Sequence, residues 1–327
     1  IIPLRQAIRD HGADPIRLAI ISSAELLQDA DFNMESVTGI QSKLESLSEL
    51  LQSTLKKSFP KQKFSRIHGS RDYFQLSFQG YSFEVVPILK INLARKSRNI
   101  TDVSPLHAAW VNKKAKNVKD DIRLAKQFCI ANNLYGAESY IGGFSGYVLE
   151  ILTPHYGSFE NVLKASQKWK LSDIIDIEKH YPKSDVFFQM NKSKLQSPLI
   201  IVDPVDKNRN AAAALSIEKF ILFKKIAKQY LKKPQASFFY KEKIDLEHLK
   251  KRTKQNIVYL ELTPLSGKED VVGFKLKKAF MFLEKKLQQF IITKSGWEWD
   301  RSNNAIFYFI LKKNDPHFLE VPSFESF

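Results

Sequence analysis

The sequence predicts an α+β fold, and three observations carry that expectation. Amphipathic helical patterns dominate residues 118–233. A two-strand alternation surrounds a Gln79-Gly80 turn. The last seventy residues read in the order β-α-β-β. Apolar residues make up 43% of the 327 and charged residues 26%, a balance that can bury real cores.

The elements follow in chain order. Residues 3–28 read as helix with a break at Gly12-Ala13-Asp14-Pro15, where Asp14 suits an N-cap and Pro15 a first helical turn. Residues 35–56 read as a second amphipathic helix through Val37, Ile40, Leu44, Leu47 and Leu51. "YFQLSFQ" alternates Phe74, Leu76 and Phe78, and "YSFEVVPILKI" is the returning strand of a hairpin. Helices are expected over 118–133, from 143 to 153 after two glycines, over 158–168 and over 212–232. "PLIIVDPV" at 198–205 reads as a buried strand ending in a turn. At the end, "NIVYLEL", a helix at about 270–290, "GWEWD" and "AIFYFILKK" around "RSNN" form a split module of the kind RNA-binding proteins use.

The net charge is +16, which favours a polyanionic partner through phosphate contacts, with an anionic membrane surface as the competitor. The excess is uneven: residues 1–50 hold four basic and eight acidic side chains, so the remainder carries all of it. No run of 18 apolar residues spans a bilayer, and charge comes too early at the start for a signal peptide. Cys129 is the one cysteine, which excludes disulfides and cysteine-based zinc sites within the chain. A cytoplasmic setting is the expectation.

Several ordered stretches carry a family resemblance. They are "FEVVP", "DVSPLHAAWV", "DDIRLAKQFCIANNLYGAESYIGGFSGYVLEIL", "YGSFENVLKASQKWK" and "IVDPVDKNRNAAAALS". The C-terminal region matches more weakly through "GFKLKKAFMFLEKKLQQF", "GWEWD" and "IFYFIL". From about residue 50 onward the sequence resembles the archaeal class of CCA-adding enzymes, the tRNA nucleotidyltransferases. Residues 2–48 instead resemble the segment of archaeal leucyl-tRNA synthetases that follows their KMSKS loop, without either catalytic signature of those enzymes.

The resemblance implies a fold and a division. The fold is a truncated nucleotidyltransferase palm, a helical central domain and a C-terminal β-α-β-β RNA-binding module. The expected division is 1–48 synthetase-like, 49–100 partial palm, 101–233 central helices and 234–327 α+β body with its tail cut short. The implied reaction adds C, C and A to a tRNA 3′ end from CTP and ATP, with Mg²⁺ ions holding the attacking and leaving oxygens. The implied partners are the tRNA acceptor stem and 3′ end, CTP and ATP, with no membrane; a homodimer is a possible assembly. A non-catalytic tRNA-binding module, or the large half of a split enzyme, is the alternative, and a synthetase accessory protein is a third reading.

The family's catalytic segment has a Gly-Ser turn and an Asp-x-Asp strand, then a third carboxylate on a later strand. By resemblance Glu84 takes the third position as catalytic and metal-binding residue, where the family usually has Asp. Read from its residues alone, Glu84 is a solvent-facing strand side chain. Gly69-Ser70 precedes Glu84 by too little chain to be the family's Gly-Ser, and reads as a strand entry turn. Asp29-Ala30-Asp31 has the Asp-x-Asp form, but its surroundings follow the synthetase pattern and the acids read as helix caps. The expectation is a chain without the first two carboxylates.

The nucleotide-binding residues implied by the resemblance are His107, Lys126 and Tyr135 for the phosphates and Arg209 for choosing between C and A. Lys126 falls on the apolar stripe of Ile122, Ala125 and Cys129, so it needs a counter-charge or a route to water, either a phosphate or a snorkelling path. His107 reads equally as a core histidine. Arg209 presents a fork of donors suited to a base edge, and Asp203 and Asp206 stand ready to hold it; a loop salt bridge is the plainer account. The family usually has Pro where Lys207 stands. "IGGFSGY" lacks Walker spacing and reads as a helix start. Trp297 and Trp299 share one strand face, as core or as a flank for the acceptor stem.

Overall fold

A computed structural model describes residues 10, 38, 48–67, 72–182, 185–241, 244–253 and 255–312. The chain forms two compact units, Ile1–Trp110 and Val111–Phe327.

In the first unit, helix α1 covers 48–58, two residues past its expected end. All but Asp10 of the helix expected over 3–28, most of the one over 35–56, Asp29, Asp31 and Gly69-Ser70 lie outside the described residues. Three strands follow: β1 (Phe64–Ile67), β2 (Tyr73–Phe78) and β3 (Tyr81–Val85), in an antiparallel meander of order β1-β2-β3. The hairpin is as expected. Gln79 and Gly80 both have positive φ, 51° and 79°, the pairing a two-residue turn needs to match strand twist. Strand β1 was not foreseen, because "FSRI" is too short and too polar to alternate.

The returning strand is shorter than expected. It stops at Val85 rather than running to residue 91. Pro87 has no N–H to give a ladder and restricts the residue before it. Beyond it the chain wraps around Asp102, which is fully buried. Its carboxylate accepts N–H bonds from Leu89 (2.8 Å), Arg98 (3.1 Å) and Asn99 (3.0 Å). That knot feeds α2 (Ser104–Lys114), a helix that the sequence pattern did not signal because none of its residues is buried.

Within the second unit, α3 (Lys119–Ala131) forms as expected. Helix α4 runs Gly146–Tyr156, starting three residues later than the two-glycine signal suggested. Gly142 and Gly143 instead join a clasp: Gly143 N donates to Gly136 O (2.8 Å), Gly136 N to Phe144 O (2.9 Å) and Phe144 N to Leu134 O (2.7 Å). Ser145 then caps α4 by accepting from Val148 N. Helix α5 (Phe159–Lys168) begins after Ser158, which caps it in the same way.

Strand β4 (Asp173–Ile175) pairs in parallel with β5 (Leu199–Ile201), with the short α6 (Val186–Gln189) between them. Strand β5 is buried as expected but ends at Ile201. The helix expected over 212–232 starts later: residues 211–214, four alanines, form a turn. The buried Asn210 is the cause: its Oδ1 accepts from Ile201 N and Ala212 N, holding the backbone out of helix. Helix α7 (Ile217–Lys232) starts at its Ser216 cap.

The core of this region centres on Phe128 of α3, fully buried. Its ring lies 5.4 Å from Phe159, 6.2 Å from Phe223 and 5.8 Å from Tyr230, mostly edge to face.

The C-terminal part adds α8 (Leu246–Arg252), then β6 (Asn256–Leu262), α9 (Glu269–Leu287), β7 (Ile292–Trp299) and β8 (Ala305–Leu311). The β-α-β-β order is the expected one, and the sheet runs β6-β8-β7, all antiparallel. Phe307, Phe309 and Leu311 of β8 pack with Leu276 and Phe280 of α9. Trp297 and Trp299 are partly buried against this core, so the pair is structural on that face. Tyr140 reaches across to them, its ring 5.9 Å from Trp299. Ser139 and Tyr140 bind Asp270 and Glu269 at the start of α9, so the clasp loop is tied to the C-terminal part. Among the described residues no helix is long and apolar enough to cross a membrane.

Candidate functional site

Helix α4 is the meeting point of three of the sequence-predicted residues. Its first residue, Gly146, leaves room that a side chain would fill: a Cβ there would sit 2.7 Å from the Tyr135 hydroxyl and 3.6 Å from Lys126 Nζ. The structure therefore brings Lys126 and Tyr135 to one spot. Tyr135 is held there by the clasp, pairing with Phe144 as an isolated bridge.

Lys126 has its counter-charge. Its ammonium lies 2.6 Å from Glu150 Oε1, one turn into α4, and both side chains are a little over a quarter exposed. Neither purely snorkelling nor unpaired, it sits on an α3 face whose neighbours Ile122, Ala125 and Cys129 are buried.

In the same helix turn, Tyr147 donates to Asp203 Oδ1 at 3.1 Å. Asp203 has no exposed surface, and its other oxygen meets Arg209 at 2.5 Å, with the arginine 30% exposed. The Arg209 guanidinium lies 5.8 Å from the Tyr147 ring centroid. Burial, then the Asp203 carboxylate, pushes the Tyr147 hydroxyl's pKa upward, which keeps it a donor. Of the two aspartates expected to hold Arg209, Asp203 is the one whose carboxylate pairs with it. Asp206 serves the turn, accepting from Asn208 N (3.1 Å), because its short side chain closes on its own backbone two residues on.

Glu84 and His107 belong to the other compact unit. Glu84 is exposed on β3 opposite Gln75, on the sheet face that also carries Ser82. Among the described residues no group of three or more His, Cys, Asp or Glu side chains converges as a metal site. Glu84 supplies a single carboxylate, which does not by itself make a two-metal site. His107 is half-buried on α2 rather than sealed in a core.

Sequence reasoning missed Tyr147 and Glu150. Both stand in the motif "IGGFSGYVLEIL", three residues apart, a spacing that puts them on one helix face. A second feature was also unforeseen. An open groove of about 1440 Å³ runs between the helical region and the C-terminal sheet, lined among others by Tyr135, Tyr140, Lys219, Lys277, Trp297 and Trp299. Burial holds the Lys219 ammonium below the usual lysine pKa; Glu218 opposes that and Lys277 adds to it.

Residues 120–240 match the family described as "tRNA nucleotidyltransferase, second domain". The chain is 46% identical over 189 residues to the CCA-adding enzyme of Nanoarchaeum equitans, covering 57% of this chain and 47% of that protein. It is 31% identical over 240 residues to that of Methanosarcina barkeri, covering 70% and 50%. With the enzyme of Saccharolobus shibatae it shares 30% over 256 residues, covering 77% and 58%. The chain spans about half the length of the curated relatives it matches.

Proposed function

We propose that this chain, a member of the CCA-adding enzyme family through its central region, binds CTP and ATP around α4 for nucleotidyl transfer to a tRNA 3′ end. The observation that carries the reading is the convergence on one helix turn of two kinds of group. Lys126 and Tyr135 offer a cation and a hydroxyl to phosphate oxygens. Arg209, held by a buried carboxylate, offers oriented donors to a base edge.

His107 joins the phosphate contacts in this proposal. Glu84 is the carboxylate that in this proposal would hold Mg²⁺, whose chemistry would be to bring the attacking hydroxyl and the α-phosphate together. The excess positive charge and the Lys219–Lys277 wall of the groove suit the acceptor stem's phosphates. The finer division into 1–48, 49–100, 101–233 and 234–327, with a palm-like first sheet and an RNA-binding last module, belongs to the same proposal, as do the cytoplasmic setting and a homodimer.

The test is incorporation of labelled CTP and ATP into tRNA lacking its terminus, with Mg²⁺, alongside binding of both nucleotides and of a tRNA minihelix at low salt. Nucleotide-dependent extension that Glu84→Ala abolishes is the expected result. Extension unchanged by Glu84→Ala moves the metal site elsewhere. Loss of minihelix binding at low salt sinks the assignment to tRNA.

A further inference from the structure

The two halves of the candidate site have one element in common, the first turn of α4. Gly146 abuts Tyr135 and Lys126, Tyr147 binds Asp203, and Glu150 pairs with Lys126. We propose that this turn sets nucleotide recognition through two positioning residues: Tyr147 fixes the plane of Arg209 by way of Asp203, and Glu150 occupies Lys126 until a nucleoside triphosphate replaces it. The inference rests on the nucleotide-binding reading above.

The Tyr147 half follows from how Asp203 is tied. One carboxylate oxygen takes Arg209; the other takes both the Tyr147 hydroxyl at 3.1 Å and Val205 N at 3.0 Å. With both oxygens engaged the carboxylate cannot swing about its terminal bond. Arg209 N also donates to Asp206 O and its carbonyl accepts from Asp203 N, so the arginine's backbone is fixed as well. The Tyr147 ring beside the guanidinium limits movement out of plane. An arginine that must tell a pyrimidine from a purine by its donor pattern works only if its orientation is constant. Removing the hydroxyl leaves the Val205 bond, so the network loosens without collapsing.

The Glu150 half follows from charge. A carboxylate 2.6 Å from Lys126 satisfies it in the free protein. A triphosphate arriving at the same ammonium must displace that partner and face its negative charge. Glu150 is thus a placeholder that opposes every triphosphate equally and is blind to the base.

The two roles separate in one experiment on the full chain: calorimetric titration with CTP and with ATP, each with Mg²⁺, for the unaltered protein, Tyr147→Phe and Glu150→Gln, with thermal unfolding as the control on folding. Tyr147→Phe should shift the CTP-to-ATP ratio of dissociation constants by about two- to tenfold, the effect of one hydrogen bond. Glu150→Gln should tighten both nucleotides by the same factor, about two- to fivefold, the scale of a partly exposed ion pair. An unchanged ratio in Tyr147→Phe overturns its positioning role. Weaker binding in Glu150→Gln, or a change confined to one nucleotide, overturns the placeholder. If the unaltered protein binds neither nucleotide, the nucleotide-binding reading itself fails, a result distinguishable from both.

Discussion

The strand that carries Glu84 and the helix that carries Glu150 treat their carboxylates in opposite ways. Glu84 stands exposed on the polar face of a three-stranded meander, its carboxylate making no hydrogen bond or ion pair among the described residues. Glu150 is drawn into an ion pair, one turn from a hydroxyl that ties a second ion pair in place. The difference lies in what surrounds them. The meander buries Phe74 and Leu76 but leaves Tyr81 and Phe83 exposed. The helical region packs aromatic rings around Phe128 and so can hold polar groups at fixed distances beside its core. The groups proposed for recognition are already paired in the free protein, whereas the carboxylate proposed for catalysis stands exposed.

That contrast can be broken most severely at its base. Phe128→Ala should destabilise the helical region by about 3–5 kcal/mol, read by chemical denaturation, and abolish nucleotide binding with it. Retained nucleotide affinity would show that the site does not depend on this core. Next, Asp203→Asn should cost on the order of 2 kcal/mol, below a fully buried pair because Arg209 reaches water. The same variant should erase the difference between CTP and ATP affinities.

A smaller effect comes from Gly146→Ala. The added methyl meets the Tyr135 hydroxyl, which must retreat, at a cost of about 1 kcal/mol in thermal stability. Both nucleotides should bind more weakly, and equally so, because the phosphate contacts and not the base contacts are moved. The smallest change in stability belongs to Glu84→Ala, within about 0.5 kcal/mol in either direction. If that substitution instead unfolds the meander, Glu84 has a structural partner and the contrast drawn above is wrong.

Local signals were legible wherever one residue type settles the backbone. The Gln79-Gly80 turn, the amphipathic α3 and the helix expected over 158–168 all follow from short stretches read alone. The four alanines at 211–214 show the limit. Their helix propensity is high, yet the Asn210 side chain, buried among β5 and the preceding turn, captures the backbone first. Helix α2 escaped for a related reason: with no buried face it has no apolar period to read. The meander's last strand was read too long because apolar composition continued past the proline that ends its ladder.

Site residues divide in the same way. The family resemblance pointed to Lys126, Tyr135 and Arg209, with Asp203 as a neighbour of the arginine, but not to their arrangement. Lys126 and Glu150 are 24 residues apart, and Tyr147 and Asp203 are 56 apart. By itself the sequence determined most of the amphipathic helices and the paired strands, where the positive charge lies and which family the central motifs resemble, because these depend on neighbours along the chain. Only the tertiary structure decided that Gly146, Tyr147 and Glu150 would gather those distant side chains on one helix turn. Ion pairs and hydrogen bonds act over a few ångströms in space, and chain spacing does not encode which faces the packed core turns toward each other.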